Sequence, residues 1–223
     1  LAADPEDQAA MSYRLVIFDF DGTLADSLPW FRGVFNEVAI RHGFRTLQPA
    51  EFEALRGLPS REAMCRIGVP TWKLPIIAKD MKSLMARDIA SIELFDGVSE
   101  MLRGLKSAGV RLAVVSSNSE ANVRRVLGPD NAFRIDHFGC GVAIFGKAAQ
   151  FRTILRHAGV EPAHALCVGD EIRDAEAALS LRIPFAAVAW GYATSESLRD
   201  HASVALFERV SEIVPAVLGA AGV

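Results

Sequence analysis

The chain is poor in cysteine. Three cysteines in 223 residues, Cys65, Cys140 and Cys167, are odd in number, far apart and form no Cys-x-x-Cys pair. That excludes a disulfide framework and leads us to expect a reducing compartment, the cytoplasm. The five histidines are scattered and offer no zinc-ligand spacing. No apolar run approaches the ~20 residues of a membrane-spanning helix, so no membrane partner is expected. A net charge of -3 without a basic stripe argues against a nucleic-acid partner. The first ten residues, LAADPEDQAA, lack the basic and apolar regions of a signal peptide; residues 1–11 read as a polar, disordered tail. Hydrophobic residues, by contrast, make up 51% of the chain. That suffices for one large domain, or a medium one carrying a smaller one, and is not the composition of a disordered protein.

The apolar residues come in short consecutive runs. Tyr13–Asp19 (YRLVIFD) is followed much later by VRLAVVS at 110–116, ALCVGD at 165–170 and PFAAVAW at 184–190. Unbroken apolar runs of this length suit strands buried on both faces, as in a parallel sheet. Helical spacing fills the intervals near 97–108, 119–128, 147–158, 172–181 and 207–218. Strand–helix alternation predicts an α/β fold with a doubly wound parallel sheet. Residues 28–94 break the rhythm, with no strand signal and several helical stretches. They predict an all-helical insert, leaving 12–27 and 95–223 as the α/β core. Trp30 and Trp72 are expected to pack in the core or in that insert.

Polar clusters sit where the strands end, the edge at which open α/β sheets bind ligands. Asp19, Asp21 and Asp26 crowd the segment DFDGTLADS. Ser116, Ser117 and Asn118 follow the second run. Lys147 opens a helix, and Asp170, Glu171 and Asp174 follow ALCV. Crowded carboxylates call for a cation, and hard oxygen donors suit Mg²⁺ held through one or two carboxylates, several waters and a substrate phosphate. A carboxylate can attack phosphorus to give an aspartyl-phosphate, and a second acid can protonate the leaving oxygen and then activate water. Asp21, two residues from Asp19, is placed for that second role. Ser116 and the N–H groups after it can hold phosphate oxygens, and Lys147 supplies a compact positive charge.

DFDGTLADS, VVSSN, Lys147 and VGDEIRDAEAA resemble, in order, the four motifs of the haloacid dehalogenase-like hydrolases, over nearly all of residues 13–218. The resemblance is nearest to the phosphoglycolate phosphatase and β-phosphoglucomutase branch, where a helical cap follows the first motif on a Rossmann-like core. It implies Asp19 as nucleophile and Asp21 as acid and base. It also implies Mg²⁺ on Asp19, Asp170 and the carbonyl of Asp21, with Asp174 supporting the metal site. Glu171, at a position variable in the family, is a further candidate to support the metal there, through water. Ser116 and Lys147 would hold the phosphate, beside Ser117 and Asn118. LRGLPSREA at 55–63 resembles the branch's specificity loop, which makes Arg56 and Arg61 candidates for an anionic substrate. The third motif departs from the family's Lys-Pro, reading Lys147-Ala148. The expected enzyme is a magnesium-dependent phosphatase of a small phosphorylated metabolite, monomeric or homodimeric. The alternatives are a sugar phosphomutase on the same core and a catalytically silent partner-binding protein. Thr23 is typical of the phosphatases, where mutases commonly carry valine.

Overall fold

The computed structural model describes residues 13–143 and 146–219; the expected tail, residues 1–11, lies outside them. Six parallel strands form one sheet in the order β3-β2-β1-β4-β5-β6. They are β1 (Leu15–Phe18), β2 (Arg111–Ser116), β3 (His137–Cys140), β4 (Ala165–Gly169), β5 (Phe185–Val188) and β6 (Ala205–Phe207). The central strand β1 pairs with β2 from Leu15↔Arg111 to Phe18↔Val114, and with β4 from Leu15↔Ala165 to Phe18↔Val168. This register sets Phe18, Val114 and Val168 side by side, so the three strands end close together.

The unbroken apolar runs have the burial they imply. Val16 and Phe18 point to one face, with Leu112, Val114, Leu166 and Val168, under α5 (Val98–Ser107), α6 (Glu120–Arg134) and α10 (Ile213–Leu218). Leu15 and Ile17 point to the other, with Ala113, Val115 and Cys167, under α7 (Lys147–Ala158), α8 (Ile172–Leu179) and α9 (Ser195–Arg199). Two strands are absent from the reading of the sequence. β3 is a partly buried edge strand with only Gly139 fully buried, and β6 has three residues. The run in β3 is broken by His137 and Gly139, and that in β6 is too short to stand out. The helix expected to close near 128 does leave helical geometry at Gly128 (φ 71°, ψ 166°), and a second short helical stretch within α6 follows from Pro129 to Arg134.

Between β1 and α5 lie α1 (Leu28–His42), α2 (Pro49–Arg56), α3 (Ser60–Arg66) and α4 (Leu74–Arg87). Pro29 sits in the first turn of α1, where no helical N–H is lost, and Gly43 ends the helix with φ 73°. The chain enters and leaves this insert through one antiparallel contact. Asp26 N–H donates to Glu93 O at 2.9 Å and Phe95 N–H to Leu24 O at 3.0 Å. The insert has its own small core of Phe35, Ala39, Leu47 and Ile67. Helices α2 and α3 bury no residue completely. Trp72 does not pack: it is 76% exposed.

Candidate active site

Asp19 follows β1 directly, its N–H tied to Val168 O at 2.9 Å, so the strand pairing fixes where its side chain starts. Lys147, the first residue of α7, reaches under it. Its Nζ lies 2.6 Å from Asp19 Oδ1 and 2.6 Å from Asp174 Oδ1. All three groups are buried. Asp170 follows β4 and is also buried. It accepts from two neutral donors, the Thr23 hydroxyl at 2.7 Å and the Tyr192 N–H at 2.7 Å. One carboxylate oxygen from each of Asp19, Asp170 and Asp174 lies within 4.8 Å of the others.

Such crowding moves the acids. Burial pushes the Asp19 carboxyl up to about 7, with Lys147 opposing. Burial, reinforced by Asp19, Glu171 and Asp174, holds Asp170 well above the ordinary carboxylate range. Burial pulls Lys147 down, but Asp174 and Asp19 outweigh it and the ammonium is held more firmly than usual. Lys147 is therefore a cation at neutral pH that serves Asp19 and Asp174, while Asp170 beside them is held by neutral donors.

Asp21 stands on the other side of this group, at the mouth of a cavity under the helical insert. Ser116 Oγ lies 3.5 Å from its Oδ2 and Asn118 Nδ2 lies 3.3 Å from the same oxygen. Enclosure raises the Asp21 carboxyl, against hydrogen bonds from Ser27 and Asn118. The Ser116 hydroxyl accepts from Asn118 N–H at 3.0 Å, while Ser119 caps α6 by accepting from Asn122 N–H. Ser117 and Asn118 line the cavity. The structure thus gathers Asp19, Asp21, Ser116, Asn118, Lys147, Asp170 and Asp174 at one end of the sheet.

The remaining candidates sit differently. Glu171 pairs with Arg173, accepts the Ser60 hydroxyl of α3 at 2.7 Å, and caps α8 reciprocally with Asp174. Arg56, expected to face the substrate, instead turns its guanidinium onto the chain. Nε donates to Tyr192 O at 2.8 Å, one terminal nitrogen to Gly191 O at 2.9 Å and the other to Glu53 at 2.8 Å. Arg61 is exposed and does not line the cavity. Burial, with Glu120 adding to it, pushes the Cys140 thiol up to about 12.

The sequence reading missed the loop after β5. A Cβ on Gly191 would stand 2.2 Å from Asp170 Cβ, and one on Gly22 (φ +83°) would stand 2.2 Å from Asp170 Oδ2. Both glycines let backbone close in on the acid, and Tyr192 then supplies its N–H. The Tyr192 hydroxyl lies 3.0 Å from Ser27 Oγ, in the segment that leads into the insert. The available signal was position, because Trp190-Gly191-Tyr192 follows a strand at its carboxyl end.

The haloacid dehalogenase-like hydrolase family model matches residues 16–188. A phosphoglycolate phosphatase of Synechococcus elongatus is 31% identical over 207 residues, covering 92% of this chain and 97% of that protein. A tyrosine-protein kinase of Mycobacterium tuberculosis is 32% identical over 197 residues, covering 83% of this chain and 65% of that protein. A haloacid dehalogenase-like hydrolase of Streptococcus pneumoniae superposes with a TM-score of 0.75 at 18% identity, over 92% of this chain and 98% of that one. CbbY of Rhodobacter sphaeroides, solved with phosphate, superposes at 0.69 with 22% identity, over 90% and 96%. These two share the fold. With its four motifs gathered at one sheet edge, the chain belongs to the haloacid dehalogenase-like hydrolases, in their phosphoglycolate phosphatase branch, and is an enzyme of the phosphatase type.

Proposed function

We propose that the protein is a magnesium-dependent phosphomonoester hydrolase that works through an aspartyl-phosphate on a small phosphorylated metabolite, in the manner of a phosphoglycolate phosphatase, in the cytoplasm. The observation that carries this reading is the Lys147 ammonium bridging Asp19 and Asp174 beside Asp170. Three buried carboxyl groups with one cation and only hard oxygen donors fit a divalent cation that prefers such ligands. Asp19 and Asp170, with the carbonyl of Asp21, would hold Mg²⁺, and Asp174 would support them. The ion would supply positive charge against the carboxylates and the phosphate oxygens.

The side chains divide the remaining work. Lys147 holds one oxygen of Asp19, which leaves the other as the nucleophile toward phosphorus. Ser116 and Asn118 offer a hydroxyl and an amide to the phosphate oxygens. Asp21 gives its proton to the departing alkoxide as the P–O bond breaks. It then takes a proton from the water that attacks phosphorus, which releases phosphate and restores Asp19. A raised carboxyl suits both halves of that cycle. The helical insert would serve as a cap that excludes other water. The Thr23 hydroxyl donates to Asp170, a contact valine cannot make, and this favours the phosphatase over the mutase.

Acid-quenched labelling from a ³²P-phosphoester tests this. A hydroxylamine-labile phosphoenzyme should form with Mg²⁺ and be absent in Asp19→Asn. Asp21→Asn should slow turnover by about 10²–10⁴-fold, the usual range for loss of an acid–base group. Activity that survives complete chelation would sink the reading.

A further inference from the structure

The cavity at the site's mouth has a volume of about 350 Å³, within the range of small-molecule pockets. Four of its polar residues, Asp21, Ser117, Asn118 and Tyr192, lie where the phosphate would enter. Beyond them its wall is mostly hydrocarbon, interrupted by Ser60, Glu171 and a few cationic side chains. Phe31, Phe35, Phe44, Phe52, Ile67 and Met81 line it, drawn from the insert. The aromatic rings form a connected series that starts in the site. Tyr192 meets Phe31 edge-on at 5.4 Å, Phe31 meets Phe35 at 5.6 Å, and Phe35 meets Phe52 at 4.9 Å and Phe44 at 5.7 Å. This explains why α2 and α3 bury nothing completely: their apolar side chains border space.

The cations that line the cavity are mostly engaged. Arg32 and Arg56 both pair with Glu53, and Arg173 pairs with Glu171. Lys82 forms no ion pair among the described residues, but it sits toward the phosphate end, where its carbonyl accepts from Asn122. A second anionic group extending beyond Lys82 would have to compete with Glu53 or Glu171 for these guanidinium groups while set among phenylalanines, at a large desolvation cost. Water fares poorly there too, because a bound water needs two to four polar partners.

We infer that the preferred substrate is a phosphate monoester whose alcohol portion is apolar, alkyl or aromatic, and occupies this cavity. The inference rests on the proposed phosphatase reading and narrows its substrate class away from short phosphorylated acids.

Calorimetric binding of non-hydrolysable phosphonates to the full chain in MgCl₂ tests it. Methyl-, butyl- and octylphosphonate form the apolar series, and phosphonoacetate is the anionic comparator. Affinity should rise about fourfold per buried methylene until the cavity is filled. Phosphonoacetate should bind no tighter than methylphosphonate. Ala63→Phe, which places a ring in the cavity from α3, should flatten the series. Hydrolysis of the matching phosphate esters is measured in parallel. Turnover without a chain-length gradient overturns this inference and leaves the phosphatase reading standing. A gradient without turnover overturns the phosphatase reading and, with it, the assignment of the apolar ligand as a substrate. Tightest binding of phosphonoacetate, binding of none of the phosphonates, or a gradient undiminished in Ala63→Phe overturns the inference.

Discussion

At the scale of single residues, the site is built as much by groups that aim the acids as by the acids. Thr23 shows this best. Its hydroxyl is buried and donates to Asp170 Oδ1, and its carbonyl accepts the Trp190 indole N–H at 3.2 Å. Thr23→Val keeps the shape and removes the donor, which leaves a buried carboxylate oxygen short of a partner. Loss of a group that orients a metal ligand usually costs 10–100-fold in metal affinity or activity. We therefore expect the magnesium concentration for half-maximal activity to rise roughly 10–100-fold in Thr23→Val and to return toward wild type in Thr23→Ser. A magnesium titration of activity checks it, and an unchanged midpoint in Thr23→Val would deny Thr23 this role. The acids themselves were legible because Asp19, Asp21, Asp170 and Asp174 fall just past apolar runs. Gly191 and Tyr192 were not, because they act through backbone. An N–H that donates to a carboxylate leaves no chemical signature in the letters of a sequence.

At the scale of elements, the junction between insert and core is a small set of polar contacts. The carboxyl end of α2 is seated on the loop after β5. Arg56 donates to the Gly191 and Tyr192 carbonyls, and Thr194 N–H donates back to Arg56 O at 3.3 Å. That loop carries the N–H that holds Asp170. Arg56 is thus a positioning residue, acting on the site through two peptide groups. Its planar fork serves two carbonyls and a carboxylate together, which a lysine ammonium on a flexible stem cannot copy. Arg56→Ala should lower kcat/KM by roughly tenfold for charged and uncharged leaving groups alike. It should also speed amide hydrogen exchange over residues 191–194. A loss confined to anionic substrates, with exchange unchanged, would show that Arg56 touches substrate instead. The sequence marked Arg56 through a loop resemblance, but direction is a tertiary property. The helical spacing of α2 holds whether the guanidinium faces the cavity or the neighbouring loop. Elements with long apolar runs were legible for the converse reason: β1, β2, β4 and β5 bury both faces. Edge strands β3 and β6 have only half that requirement and left half the signal.

At the scale of the whole molecule, a parallel sheet brings residues some 150 positions apart to one edge, and burial sets the terms on which they meet. Among the described residues Asp170 has no ionic partner as close as Lys147 is to Asp19 and Asp174, and Asp19, Glu171 and Asp174 all repel its charge. The fold tolerates this arrangement because hydrophobic burial on both faces of the sheet holds the strand ends close together, and a bound cation would relieve it. Stability should therefore depend on magnesium in a way that separates the ion's role from catalysis. A ligand present at 100 times its dissociation constant stabilises by ~2.7 kcal/mol. In a chain of this size each kcal/mol shifts the melting temperature by roughly 2–4 °C. Saturating Mg²⁺ should raise the Tm of the wild type by about 5–10 °C on that arithmetic. Asp170→Asn removes one of the mutually repelling charges while its amide oxygen can still accept from Thr23 or Tyr192. The metal-free variant should melt no lower than the metal-free wild type, and its magnesium shift should vanish. Differential scanning fluorimetry with and without chelator measures both. A large loss of metal-free stability in Asp170→Asn would mean that the carboxylate is held for packing and hydrogen bonding, and a full magnesium shift in the variant would move the ion away from Asp170.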